Sequence, residues 1–297
     1  MESVVRTHEL TKHYGRTVGL APLDLDVPAG VVFGWLGPNG AGKTTTIRLL
    51  AGLLRPTRGR AEVLGIEVTG DPERVQSRIG YLPGDFKAYP DLTGEQYLRY
   101  LGNLRGGVDS KAVALLAKRL ELDLSRRIGA LSHGNLQKVG ILQAFMNDPE
   151  LLILDEPTSG LDPLMQREFL GMVREARDAG RTVFLSSHIL TEVEAVADIV
   201  GILRRGRLVA VDSVENLKAR ALRRFDLIFA GDPPGAVLAS VPGVREVQID
   251  GATAQLLVEG STAGMIAALA PYQVDDVVSH AADLEAIFLA YYADQEG

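Results

Sequence analysis

GPNGAGKTT, Gly37 to Thr45, follows the apolar run VVFGWLG and precedes a helical pattern, Thr44 to Leu54, that stops at Arg55-Pro56. The spacing G-x-x-x-x-G-K-[ST] in a strand, loop, helix context is that of a phosphate-binding loop. Glycines let successive backbone N–H groups point inward, and the helix N-terminus adds positive potential. Gly37, Asn39, Gly40, Ala41 and Gly42 in the loop, with Lys43, Thr44 and Thr45 at the helix start, are therefore candidate nucleotide contacts. Lys43 is expected to reach the outer phosphates, and the Thr44 hydroxyl to ligate Mg2+.

Two later strand ends supply the matching chemistry. LLILDEP, Leu151 to Pro157, places two carboxylates after four apolar residues. Beside a phosphate loop, Asp155 would hold Mg2+ and Glu156 would orient or deprotonate the attacking water. The strand FLSSH ends at His188, either a surface cap or a γ-phosphate contact on the edge where α/β sheets place their ligands. Tyr14, in TKHYGRT, either stacks on adenine or packs at a strand rim.

Working outward, strand patterns at Val4 to Leu10, Leu23 to Val27, Ala61 to Leu64, Ile79 to Leu82, TVFLSS and DIVGILRRG alternate with helices at about Pro163 to Ala179 and Ile189 to Ala197. This alternation predicts an α/β fold with a largely parallel sheet. It is interrupted from Thr93 to Leu124 by helical periodicity, broken at Gly106-Gly107 and at Leu122 to Ser125. Beyond Phe225 the order strand, helix, strand, strand, helix, strand suits a small ferredoxin-like α+β domain, followed by a last helix over Asp283 to Tyr292. The expected division is residues 1–219, with a helical insertion at about 85–148, and residues 220–297.

A net charge of -7 disfavours a nucleic-acid partner, and the lack of cysteine excludes disulfides and thiolate metal sites. MESVVRTHEL has neither a basic nor an apolar leader segment, so no secretion signal is expected. The apolar runs fall far short of the roughly 18 to 20 residues of a membrane span.

LSHGNLQKVG, Leu131 to Gly140, places a serine beside a histidine, then a glycine, at the start of an amphipathic run. Ser132-His133 as a hydrolase pair is disfavoured: adjacent residues rarely aim at each other, and no glycine-flanked elbow is present. As a helix N-terminus, Ser132 and the Gly134 backbone form an anion site.

Together these stretches resemble the nucleotide-binding subunit of ATP-binding-cassette (ABC) transporters over about Val4 to Asp212, most closely the drug and antibiotic exporters of ABC-2 type. GPNGAGKTT resembles Walker A, LLILDE Walker B, SGLD (Ser159 to Asp162) the D-loop, and LSHGN the family signature; His188 resembles the switch histidine. The resemblance implies an ATPase with ATP and Mg2+ as ligands and Glu156, His188 and Lys43 as catalytic residues. Ser132 and Asn135 would bind the γ-phosphate across a dimer, expected to be a homodimer although a heterodimer is left open, and Gly134 and Asp162 would be further nucleotide contacts. It also implies a separate transmembrane permease and a place on the cytoplasmic face of the membrane.

Two positions depart from the family pattern. His133 stands where glycine is usual, and Gly84 where a glutamine normally meets Mg2+; Asp85 is a substitute of doubtful charge. Phe86, Tyr89, Leu92 and Tyr97 either offer an apolar groove to the permease or pack the helical insertion. The competing functions are a soluble ABC ATPase acting on ribosomes or DNA, a small-molecule kinase or GTPase, and an interaction module with a degenerate site. Single-cassette length, SGLD with LSHGN, and intact Lys43, Asp155, Glu156 and His188 argue against them in turn. Nothing in the C-terminal region carries chemistry; dimerisation, regulation and partner contact all remain open for it.

Overall fold

Two long strands open the chain, β1 (Ser3–Tyr14) and β2 (Thr17–Pro28), paired antiparallel so that Tyr14 faces Thr17 across a two-residue turn. Alternation buries Val5 and Thr7 on the first, a register shift between Thr7 and Leu10 brings Leu10 back to the buried side, and alternation buries Leu23, Leu25 and Val27 on the second. The structure, a computed structural model, describes residues 2–220 and 222–280; the helix expected over Asp283 to Tyr292 lies outside the described residues.

β3 (Val32–Leu36), buried throughout, leads into α1 (Lys43–Leu50). β4 (Arg58–Val63) and β5 (Ile66–Glu67) extend the first pair into a four-stranded sheet ordered β2-β1-β4-β5. α2 (Pro72–Arg78), capped by the Asp71 side chain, leads to β6 (Ile79–Leu82). Next come α3 (Gly94–Leu104), opened by a Thr93/Gln96 capping box, α4 (Ser110–Arg119) and α5 (His133–Phe145). β7 (Leu151–Asp155), α6 (Pro163–Asp178), β8 (Thr182–Ser187), α7 (Leu190–Val196), β9 (Ile199–Arg204), β10 (Arg207–Ser213) and α8 (Val214–Arg220) follow.

The second sheet is ordered β10-β9-β3-β8-β7-β6, and the five strands from β9 to β6 run parallel. The largely parallel sheet is thus present, but the opening strands form a separate antiparallel sheet. A two-residue turn between β1 and β2 leaves no room for the crossover that parallel pairing needs. One face of the parallel sheet packs Phe33, Trp35, Ile153 and Phe184 with Ile47 of α1 and residues of the antiparallel sheet; the other packs Leu152, Leu154 and Leu185 with α5 and α6. Phe33 and Phe184 stack with ring centroids 5.3 Å apart.

α5 is not the amphipathic helix expected. Gln137 to Leu142, Ala144 and Phe145 are all buried, because β6 and β7 lie against it as well as α3 and α4. Phe86 and Tyr97 are buried in the same core, 6.3 Å apart, whereas Tyr89 stays 57% exposed. Packing is therefore the role of the first two.

The chain divides into two compact units, Met1–Val211 and Asp212–Gly297. In the second, β11 (Arg223–Phe229), α9 (Gly235–Ser240), β12 (Val244–Asp250), β13 (Thr253–Val258), α10 (Ala263–Leu269) and β14 (Val274–His280) succeed one another. Their sheet is ordered β12-β13-β11-β14 with all neighbours antiparallel. Phe225, Leu227, Leu256, Leu238 of α9 and Met265 of α10 form its own core.

Gly140 lets α5 approach β6: a Cβ there would stand 2.6 Å from Leu82 Cδ1 and 2.9 Å from Phe86. Gly140→Val is expected to overpack this contact and cost about 1–3 kcal/mol, read from the midpoint of urea unfolding.

Candidate active site

The parallel register brings three strand ends to one edge, with Leu36 beside Ser187 and Asp155 beside Ser186. After Leu36 the phosphate loop turns through Gly40 (φ 79°) and Gly42 (φ 107°), conformations that suit glycine. A Cβ on Gly42 would also meet the Gly19 carbonyl at 2.6 Å. Pro38, Asn39 and Gly40 are exposed, Ala41 is buried and hydrogen-bonded through its carbonyl to Gly206 N (2.8 Å), and Thr44 and Thr45 are partly buried in the first turn of α1. That turn holds no acidic residue, so its N–H groups and dipole are free of competing carboxylates.

Lys43 is buried. Its Nζ donates to the carbonyls of Gly37 (2.6 Å) and Pro38 (3.3 Å) and stands 3.1 Å from Glu156 Oε1, close enough for an ion pair without the alignment of a hydrogen bond. The Glu156 carboxylate is gripped from the other side by His188 Nδ1, 2.7 Å from Oε2. Its backbone lies at φ 49°, a costly conformation for a residue other than glycine, held by hydrogen bonds from Glu156 N to the Ser186 carbonyl (3.2 Å) and Oγ (3.1 Å). Gln137, buried in α5, donates from Nε2 to the carbonyls of Pro157 (3.0 Å) and Glu156 (3.4 Å).

Asp155 is fully buried. Its Oδ1 accepts from Ser186 Oγ at 2.6 Å, while Oδ2 has no hydrogen-bond partner. A buried carboxylate oxygen left unpaired is costly, so a cation fits here. No group of three or more His, Cys, Asp or Glu among the described residues could hold a metal by itself. Mg2+ held by one or two protein oxygens and substrate phosphates needs no such cage, so Asp155 and the Thr44 hydroxyl suit it. Gly84 lies directly against the unpaired oxygen, where a Cβ would come within 3.2 Å of it. Asp85 does not take the glutamine's place: it is exposed and paired with Lys87 at 2.9 Å, which holds its carboxyl below the ordinary range.

A second cluster gathers LSHGN and SGLD. Ser132 Oγ caps α5 by accepting from Asn135 N at 3.3 Å, as a cap and not as a nucleophile. His133 lies against Gly160, and a Cβ on Gly134 would meet the Gly160 carbonyl at 2.5 Å. Asp162 caps α6, accepting from Met165 N and Leu164 N at 3.0 Å each, and these bonds hold its carboxyl below its usual range. Tyr14 is exposed, with Lys12 Nζ 5.5 Å from its ring, and its edge covers Gly19, next to Gly42.

Residues 20–159 match the family described as ABC transporter. The bacitracin transport ATP-binding protein of Enterococcus faecalis is 38% identical over 223 residues, 74% of this chain and 72% of that protein. The chain belongs to the ABC transporter family. A daunorubicin/doxorubicin resistance ATP-binding protein of Streptomyces peucetius is 39% identical over 221 residues, 72% of this chain and 67% of that one. A solved ATP-binding subunit of an ABC transporter superposes with a TM-score of 0.68 at 31% identity, covering 73% of this chain and 92% of its own. The fold is thus that of a P-loop ABC ATPase, and the activity is ATP hydrolysis.

Within this ABC ATPase the structure joins Lys43, Asp155, Glu156 and His188 into one cluster and Ser132, Gly134, Asn135 and Asp162 into another. Sequence reading overlooked Ser186 and Gln137, although a hydroxyl closing the apolar strand TVFLSS and an amide in a buried helix were both visible signals. Gln137→Leu should leave two carbonyls unpaired, costing about 1–3 kcal/mol in denaturant unfolding and lowering ATP turnover.

Proposed function

We propose that the chain is the ATP-hydrolysing motor of an export system for drugs, antibiotics or other hydrophobic compounds, acting through a separate membrane permease and a second ATP-binding subunit. The observation that carries the reading is Glu156, gripped between Lys43 and His188 beside the unpaired oxygen of Asp155. The names of the bacitracin and daunorubicin/doxorubicin relatives support export as the purpose.

ATP phosphates lie on the N–H groups of Gly37 to Thr45 and compete for the Lys43 ammonium, which frees Glu156 Oε1. Glu156 then takes a proton from water as its oxygen attacks the γ-phosphorus and the bond to the bridging oxygen breaks. His188 keeps the carboxylate oriented from Oε2. Bound Mg2+, held by Thr44 and Asp155, would neutralise charge on the phosphates. Ser132, Gly134 and Asn135 would complete the phosphate site of a second copy, with Asp162 fixing the turn beside them. Tyr14 would flank the adenine.

No helix among the described residues is long and apolar enough to cross a membrane. Attachment to the cytoplasmic face is therefore assigned to the permease. The helices between β6 and β7 are read as the inserted helical subdomain. The second unit is read as a ferredoxin-like accessory domain, which the order β12-β13-β11-β14 with two helices supports.

Glu156→Gln is expected to bind ATP, dimerise stably and lose roughly a hundredfold or more in hydrolysis; near-normal ATPase activity refutes the assignment. Lys43→Ala should weaken binding of a fluorescent ATP analogue, and chelation of divalent cations should stop turnover. Purification from membranes should bring down a multi-span protein, and transported compounds should stimulate hydrolysis. Isolation without any membrane protein would favour a soluble ABC ATPase.

A further inference from the structure

Beside the catalytic pair, on α7, stands a carboxylate that the mechanism above does not use. Glu192 is 7% exposed, and its Oε2 accepts from Thr158 Oγ1 (2.7 Å) and from Ser187 Oγ (3.2 Å). Its other oxygen is buried without a hydrogen-bond partner. Thr158, 3% exposed, lies two residues beyond Glu156 in a turn closed by hydrogen bonds from Ser159 N to the Glu156 carbonyl (3.2 Å) and from Leu161 N to the Thr158 carbonyl (3.0 Å). Ser187 immediately precedes His188, and its Oγ also accepts from Ile189 N at 2.9 Å. One carboxyl therefore ties together the two segments that carry Glu156 and His188.

This is an expensive way to fasten two loops. Burial drives the Glu192 carboxyl above the ordinary range and nearby Glu156 pushes it further, while the Thr158 and Ser187 hydroxyls and His188 oppose the shift. An apolar side chain would fill the same space without a desolvation cost. What the carboxyl supplies and an apolar group cannot is a fixed direction for two hydroxyls.

We propose that Glu192 is a positioning residue for ATP hydrolysis, clamping the Thr158 turn to the Ser187 strand end so that Glu156 and His188 keep their 2.7 Å contact. The proposal rests on Glu156 and His188 as the hydrolytic pair, so Glu156→Gln is assayed in parallel. In the full-length chain, Glu192→Ala is expected to lower kcat roughly tenfold while KM for ATP and nucleotide affinity stay within about twofold of the parent. Glu192→Gln, which keeps an acceptor oxygen for both hydroxyls, should restore most of the turnover. Thr158→Val should reproduce the loss, and the double variant Glu192→Ala with Thr158→Val should lose no more than either alone, since both break one link.

Wild-type kcat in Glu192→Ala overturns the proposal, as does equal loss in Glu192→Gln and Glu192→Ala. A fall in kcat matched by loss of ATP affinity and thermal stability also overturns it, because that pattern belongs to a merely structural residue. Glu156→Gln separates the two claims. If it hydrolyses ATP normally, the assignment of the pair has failed; if it is inactive while Glu192→Ala is normal, only the clamp has.

Discussion

The hydrogen bond from Ser186 Oγ to Asp155 Oδ1 joins the ends of two neighbouring parallel strands, and the rest of the site is arranged around it. The same serine receives the Glu156 N–H on its hydroxyl and its carbonyl, so one residue sets both the direction of the Asp155 carboxylate and the unusual backbone of Glu156. With β3 on the far side of β8, the phosphate loop faces these carboxylates at the spacing of adjacent strands, about 4.8 Å per step. A shift of one residue in that register would carry Asp155 away from Ser186 and Glu156 away from Lys43.

What was legible in the sequence was whatever is decided locally. The loop at Gly37 to Thr45 is a run of backbone conformations, and glycines mark them directly; the strand ends at Asp155 and His188 are marked by polar residues that stop apolar runs. The breaks at Gly106-Gly107 fell where α3 ends and α4 has yet to begin. The misread parts depend on neighbours distant in sequence. α5 has a polar start and an apolar middle, but layers on both sides bury its whole circumference, Gln137 and Lys138 included. Nothing local distinguishes such a helix from one with a wet face.

Gln137 also joins α5 to the turn that carries Glu156. The amide of that helix holds the carbonyls after Asp155, while its first residues, His133 and Gly134, press on Gly160 a few residues further along. The segment that would touch a second copy and the segment that carries Glu156 are thereby fastened to each other within one chain. The link has two parts, the Gln137 side-chain amide and the close approach of Gly134 to the Gly160 carbonyl. His133, where the family commonly has glycine, adds an imidazole to that contact and so thickens it.

Lys43 gives the site one more property. Its ammonium already satisfies two loop carbonyls and a carboxylate, so a nucleotide does not meet a waiting charge. On the proposed role of this loop, binding would be an exchange, in which phosphate oxygens outcompete the loop carbonyls and Glu156. The affinity of this loop for nucleotide is accordingly a difference between two sets of contacts. On the proposed roles, a change at Glu156 that loosens its hold on Lys43 would favour ATP binding without touching any atom of the ligand.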